Sequence, residues 1–253
     1  MVIMNNKIEI KDLKKSFDTK HVLTGLDLDI VEGEILCIIG KSGTGKSVIL
    51  KHLTGMLTPD SGEIVVDGKF YSSSSQDELD ELISKFGILF QGAALFDSMN
   101  IYDNVAFGLR RKKVDEKEID EQVKSLLAQV ELYNVEEKMP SELSGGMQKR
   151  AGLARALAIK PEIMLYDEPT TGVDPITAAA VDRLILKMRD EYKITSVVVT
   201  HDIKSACRIA NRIAMLYDGK VIYIGSPEDI MQTQDEIIKQ FIEGRADGPI
   251  AIY

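Results

Sequence analysis

Ile35-Leu-Cys-Ile-Ile39 runs directly into Gly40-Lys-Ser-Gly-Thr-Gly-Lys-Ser47, and the reading of this stretch decides the fold. Five apolar residues in a row read as a buried strand. Beyond the glycines, Val48, Ile49, Leu50, Leu53 and Leu57 recur at roughly helical spacing. A strand, a glycine-rich loop ending in Gly-Lys-Ser and a helix form the context that a phosphate-binding loop requires. Glycines at 40, 43 and 45 permit a backbone whose successive N–H groups point inward at phosphate oxygens. The whole loop, Gly40, Lys41, Ser42, Gly43, Thr44, Gly45, Lys46 and Ser47, is therefore assigned to a nucleotide. Lys46 is expected to reach the β and γ phosphates and Ser47 to ligate Mg²⁺, with the helix N-terminus adding its positive end.

Further along, Ile163-Met-Leu-Tyr-Asp-Glu168 reads as an apolar strand that delivers two acids at its end. Beside a phosphate loop, Asp167 is expected to hold the metal and Glu168 to polarise the attacking water. Ser144-Gly145-Gly146 precedes a helical run from Met147 to Ile159, so Ser144 reads as an N-cap that leaves the helix's positive end open. The loop at Gly40 already accounts for this chain's own phosphate. The simplest explanation is that Ser144 to Gly146 meets the nucleotide of a second copy.

Three more residues join the set. His201 follows the β-branched run Thr195 to Thr200 and is expected at the same sheet edge as Glu168, hydrogen-bonded to the γ-phosphate and the water. Gln91 ends Phe86-Gly-Ile-Leu-Phe90, where its amide is expected to reach the metal or the water. The following Gly92-Ala-Ala-Leu-Phe96 is expected to stay mobile and apolar. Phe17, ahead of a short loop, reads either as a stacking surface for adenine or as a core aromatic.

Around these motifs the chain alternates in character. Ile8 to Ile10, Val22 to Ile30 and Glu63 to Val66 read as strands of a half-exposed antiparallel layer, because Leu26, Leu28 and Ile30 alternate with Asp27 and Asp29. Ser72 to Ser75 reads as a surface loop. Helices are expected over Val105–Arg111, Glu116–Val130 and Ala178–Asp190, and strands at Ile163–Leu165, Thr195–Val199 and Ile213–Leu216. Strand, helix, strand order implies an α/β fold on a parallel sheet whose ligand lies at the carboxyl ends of the strands.

Bulk properties narrow the class. The chain has 253 residues, 44% hydrophobic and 28% charged, and a formal charge of -9. That acidity argues against a surface made for nucleic acid. Arg110-Arg-Lys-Lys113 is followed at once by Asp115, Glu116 and Glu118, and reads as a solvated, charge-mixed helix start. Cys37 and Cys207 have no metal-type spacing and read as small buried fillers in a reducing compartment. No apolar stretch is long enough to cross a bilayer, and the first residues lack a signal-peptide core, so the chain is expected to be cytoplasmic.

The ordered combination of Gly40 to Ser47, Gln91, Leu143-Ser-Gly-Gly-Met147, Asp167 with Glu168, Thr171-Gly-Val-Asp174 and His201 resembles the ABC-transporter ATPases over nearly the whole chain. The resemblance implies a P-loop NTPase core with a parallel sheet, an antiparallel β subdomain and an α-helical subdomain. It implies one ABC ATPase domain over residues 1–243, with the helical subdomain at about 92–160 inserted in the core. In its terms Phe17 is the adenine-stacking aromatic, Gln91 the Q-loop glutamine and Lys46 the phosphate lysine. Ser144, Gly145 and Gly146 are the signature, Asp174 the D-loop acid and His201 the switch histidine. Met147, Thr171 and Val173 replace the family's usual glutamine, serine and leucine. The implied cofactors are ATP and Mg²⁺, and the implied assembly is a homodimer beneath integral-membrane permease subunits, with no nucleic acid.

A narrower resemblance is to the Mla-type ATPases of lipid transporters that carry MCE-domain proteins. It rests on Gln91-Gly-Ala-Ala-Leu-Phe-Asp-Ser98, Tyr102-Asp-Asn-Val-Ala-Phe-Gly108 and the tail Gln240-Phe-Ile-Glu-Gly244 to Asp247-Gly-Pro-Ile250. It implies a phospholipid-transport motor, peripheral on the cytoplasmic face of the inner membrane, in which residues 244–253 are either an arm tethering the two copies or a frayed end. Two other assignments stay open within the wider family. One is the motor of a small-solute importer. The other is a soluble ABC protein, which usually carries a second ATPase half, a zinc module or a long coiled coil.

Overall fold

The computed structural model describes residues 5–251. The chain divides into two compact units, one running to Ile83 and resuming at Thr195, the other spanning Ser84–Ile194.

In the first unit, strands β1 (Asn6–Phe17) and β2 (Lys20–Val31) form a long antiparallel hairpin. β3 (Ile35–Ile39) and helix α1 (Lys46–Leu53) follow. β4 (Ser61–Val66) and the short β5 (Lys69–Phe70) complete a sheet of order β2-β1-β4-β5. This is the expected antiparallel layer, with Leu26, Leu28 and Ile30 buried and Asp27 exposed. β1 runs well past Ile10 because both of its edges are paired, which outweighs the weak strand propensity of Lys11 to Ser16. It kinks at Asp12, whose φ is 46°, and the register shifts between Ile10 and Leu13. Helix α2 (Gln76–Ile83) was not anticipated after the serine tract. Its start is fixed by Ser75 and Glu78, which exchange backbone and side-chain hydrogen bonds.

All five residues of β3 are buried. The strand lies parallel to β8 (Thr195–Thr200) on one side and β9 (Arg212–Tyr217) on the other. A bidentate pair secures this edge, with Arg212 Nε and a terminal nitrogen 2.9 and 2.8 Å from the Glu34 carboxylate. Sequence reasoning overlooked β10 (Lys220–Gly225), antiparallel to β9, although Asp218-Gly219 is a strong turn signal. Helices α7 (Ile203–Ile209), α8 (Pro227–Met231) and α9 (Glu236–Glu243) complete the unit.

In the second unit β6 (Phe86–Leu89) pairs in parallel with β7 (Ile163–Asp167). Between them in sequence come α3 (Ile101–Arg111), α4 (Glu116–Gln129) and α5 (Gly145–Leu157), with a single turn of 3-10 helix at Pro140–Glu142. α6 (Pro175–Tyr192) closes it. Arg110 and Arg111 lie in the last turn of α3, so the basic run ends one helix and does not start the next. The positive charge suits a helix C-terminus. Arg110 also bridges Asp103 at 2.7 Å and Glu116 at 3.0 Å.

Cys37 is buried as expected, but Cys207 is only half-buried. Among the described residues no helix is long and apolar enough to cross a membrane.

Candidate active site

The phosphate loop in the first unit is held by its own backbone. Gly45 forms the N-cap of α1 at φ 106°, a left-handed conformation that favours glycine. A Cβ there would come within 2.9 Å of Val22 Cγ1, so the hairpin beneath also demands a glycine. No side chain caps α1. Its first turn thus keeps the positive character that suits an anion. Lys46 is buried, and its Nζ donates to the carbonyls of Gly40 at 2.8 Å and Lys41 at 3.1 Å. Thr44 Oγ1 donates to the same Lys41 carbonyl at 2.9 Å. Ser47 is half-buried in the first turn, while Ser42 and Gly43 are exposed.

Three other assigned features lie in this unit. Phe17 is 42% exposed at the end of β1, with Lys15 Nζ 5.7 Å from its ring centre. His201 is exposed just beyond β8. Its turn is fixed by Asp202, which accepts from the amides of Lys204 and Ser205 at 2.9 and 3.1 Å. The tail folds onto its own unit as far as Ala251. Gln240, 3% exposed, accepts from the Ile250 amide at 2.6 Å and donates to the Ile250 carbonyl at 3.2 Å. Lys41 Nζ donates to the carbonyl of Ala251 at 2.6 Å, so residue 251 lies against the phosphate loop.

The acid-bearing turn belongs to the second unit. β7 delivers Asp167, half-buried, and Glu168, 9% exposed. Glu168 adopts a φ of 50°, unusual for a residue with a side chain. Thr171 stabilises it twice, its Oγ1 donating to Glu168 Oε2 at 3.0 Å and its amide to the Glu168 carbonyl at 3.2 Å.

Ser144 caps α5, its Oγ accepting from the Met147 amide at 3.4 Å, and the helix already begins at Gly145. Gly146 is buried, and a Cβ there would collide with the methyl of Thr177. Asp174 is the N-cap of α6, accepting from the amides of Ile176 and Thr177 at 3.0 and 3.1 Å and from Thr177 Oγ1 at 2.5 Å. These bonds, that from the Thr177 hydroxyl foremost, hold its carboxyl below the ordinary aspartate range.

Gln91 is exposed just after β6, and the segment that follows it is tied down, contrary to the expectation of a mobile apolar stretch. Ala93 and Ala94 sit at φ 60° and 50°. Fully buried Asn104 accepts from the Phe96 amide at 2.7 Å and donates to the carbonyls of Phe96, Met99 and Asn100. Arg155 donates to the Ala94 carbonyl and lies 4.3 Å from the centre of the Phe96 ring.

The family model for ABC transporters matches residues 23–171. This chain belongs to the ABC transporter ATP-binding family. It is 43% identical over 98% of its length to a Mycobacterium leprae protein named "Probable ribonucleotide transport ATP-binding protein mkl", covering 72% of that protein. It is also 40% identical over 97% of its length to a Haemophilus influenzae protein named "Intermembrane phospholipid transport system ATP-binding protein MlaF", covering 93% of it. A solved dimeric ATP-binding cassette in a post-hydrolysis state with ADP and Pi superposes with a TM-score of 0.80 at 32% identity, covering 87% of this chain and 98% of that one. The chain is thus an ATP-binding P-loop ATPase coupled to transport, with the expected α/β architecture.

Sequence reasoning missed several residues of this ABC ATPase. Asn104 and Arg155 brace the segment after Gln91, and Lys149, buried in α5, donates to the carbonyls of Gln91 and Glu168. Nothing in a helical pattern marks such contacts, because they are made to backbone carbonyls, which for Lys149 and Arg155 lie far away in sequence. The one signal was a lysine on the buried face of a helix.

Proposed function

We propose that this ATPase is the motor of a transporter moving phospholipid between membranes, working with integral-membrane permease subunits and an MCE-domain protein. The observation that carries this reading is its end-to-end likeness to the Haemophilus influenzae phospholipid-transport protein, nearly all of which it covers. The mkl relative extends well beyond the matched region, and its name points to ribonucleotides, which keeps a small-solute importer as the second reading.

In the proposed cycle residues 1–243 act as one ABC ATPase domain, with 92–160 as its helical subdomain, and two copies close on ATP. Lys46 and the loop amides grip the β and γ phosphates. Glu168 polarises the attacking water, and Gln91 and His201 orient the water and the γ-phosphate. Phe17 stacks on adenine. Ser144 and Gly146 meet the nucleotide of the partner copy, and Asp174 holds the turn that faces that partner. The donors fit Mg²⁺, a hard cation that takes oxygen ligands and commonly needs only one or two from protein beside the phosphates. Ser47 offers a hydroxyl, Asp167 a carboxylate and Gln91 an amide oxygen. When bound, the metal neutralises charge on the phosphates.

The motor is peripheral on the cytoplasmic face of the inner membrane, held there by the permease; residues 244–251 fold back on their own unit through Gln240 and Lys41, and Ile252 and Tyr253, the end of the expected tethering arm, lie outside the described residues. Affinity purification of tagged Glu168→Gln chain from detergent-solubilised membranes with ATP, followed by mass spectrometry, tests this reading. A permease with an MCE-domain protein supports it. A permease with a solute-binding protein would favour the importer.

A further inference from the structure

We propose that Lys149 is a positioning residue for ATP hydrolysis: its ammonium ties the backbone at Gln91 to the backbone at Glu168, so the helix that Ser144 opens sets both side chains. The proposal rests on the reading of Glu168 and Gln91 as reaction-centre residues.

Lys149 is 6% exposed and lies in α5, five residues after the Ser144 cap. A lysine buried to this degree is ordinarily paired with a carboxylate. Here the ammonium donates to the carbonyl of Gln91 and, at 3.2 Å, to the carbonyl of Glu168. Burial lowers its affinity for the proton, and the charges of Asp167 and Glu168 oppose that effect. The Lys149 side chain thus spans the end of β6 and the end of β7, fixed to the helix that carries the signature.

One of the two backbones it holds is left-handed, and the other leads into a left-handed turn. Glu168 is at φ 50°, and just past Gln91 the chain turns through Ala93 and Ala94 at φ 60° and 50°. Left-handed residues with side chains persist only where the surroundings fix them. At Glu168 the carbonyl accepts from both Lys149 and the Thr171 amide. Beyond Gln91, Arg155 on the same helix donates to the Ala94 carbonyl. α5 thus grips the Gln91 segment at two carbonyls and the acid turn at one. Movement of the signature helix would pass directly to both, whereas a lysine that only filled space would transmit nothing.

The test is ATP turnover by the full chain carrying Lys149→Met, with Lys149→Arg and Glu168→Gln in parallel. Lys149→Met should lower kcat by about tenfold or more while leaving the KM for ATP within about twofold, because Lys149 touches the backbone that orients the reaction and not the nucleotide. Lys149→Arg, which keeps the charge and the donors, should restore kcat to within about threefold of wild type. If Lys149→Met does not fold, Lys149→Leu is held to the same criteria. Wild-type kcat in the methionine variant, or a loss confined to KM, would overturn the proposal. Should Glu168→Gln turn over normally, the reading of Glu168 fails and the proposal with it. An inactive Glu168→Gln beside a fully active Lys149→Met sinks the proposal alone.

Discussion

In the phosphate loop Lys46 bonds to carbonyls six and five positions away, whereas Gln91 and Glu168 are held by Lys149 from 58 and 19 positions away. The loop is a local object. It needs glycine at Gly45, a lysine that folds back and the end of a strand, all within one short stretch. The acid turn and the glutamine segment are wired by side chains from other elements, Lys149 and Arg155 of α5 and Asn104 of α3, each satisfying backbone groups there, with Thr171 adding a local bond to the Glu168 carboxylate. The proposed phosphate grip of the local device needs nothing from outside that short stretch. The wired one is suited to respond to the movement of distant parts.

This contrast can be broken most sharply at its local end. Lys46→Ala removes both the loop's internal donor and its phosphate cation, and ATP hydrolysis should fall by about 100-fold or more, the scale of losing a charge-stabilising group. Steady-state phosphate release measures it, and near-normal turnover would show that the loop does not act through Lys46. Next comes the wired side, at the start of α5. Gly146→Ala would drive a methyl into Thr177, whose hydroxyl and amide bond to Asp174. Turnover should fall by about tenfold while ATP binding by the phosphate loop persists. Equilibrium binding of a fluorescent nucleotide separates the two effects.

Smaller effects sharpen the comparison. Arg155→Leu keeps the apolar stem but deletes the donor to Ala94, and kcat should drop by a few-fold, with faster amide exchange over residues 92–98. Exchange unchanged in that segment would mean that Arg155 does not brace it. Asp174 gives the smallest effect, and a pH-dependent one. Its folded carboxyl is held below the unfolded value of about 3.9, so the cap's contribution is complete above that value and is lost as pH falls through the folded pKa. Melting temperatures of wild type and Asp174→Ala should differ at neutral pH and converge on acidification. A constant difference would show that the charge of the cap contributes nothing.

The same distinction explains what the sequence made legible. The phosphate loop, the strand before it, the acids ending β7 and the cap at Ser144 are spelled out by neighbouring residues, so their structure could be read directly. The β1 extension through Lys11 to Ser16 could not, because its stability comes from pairing on both edges with β2 and β4. β10 was legible in Asp218-Gly219 and overlooked. The bracing of Gly92 to Phe96 was invisible, since an apolar loop carries no mark of the Asn104 and Arg155 that hold it. The tail shows the same limit, for its anchor at Gln240 is a polar side chain buried by contacts that no periodicity encodes.

Glu168 is proposed to drive hydrolysis in a site completed by a second copy of the chain. Size-exclusion chromatography of Glu168→Gln with and without ATP, alongside its hydrolysis rate, tests it most directly. The account predicts a dimer that appears with ATP, retains the nucleotide and hydrolyses it at least about 100-fold more slowly than wild type. A variant that stays monomeric with ATP bound, or that hydrolyses ATP at the wild-type rate, would contradict it.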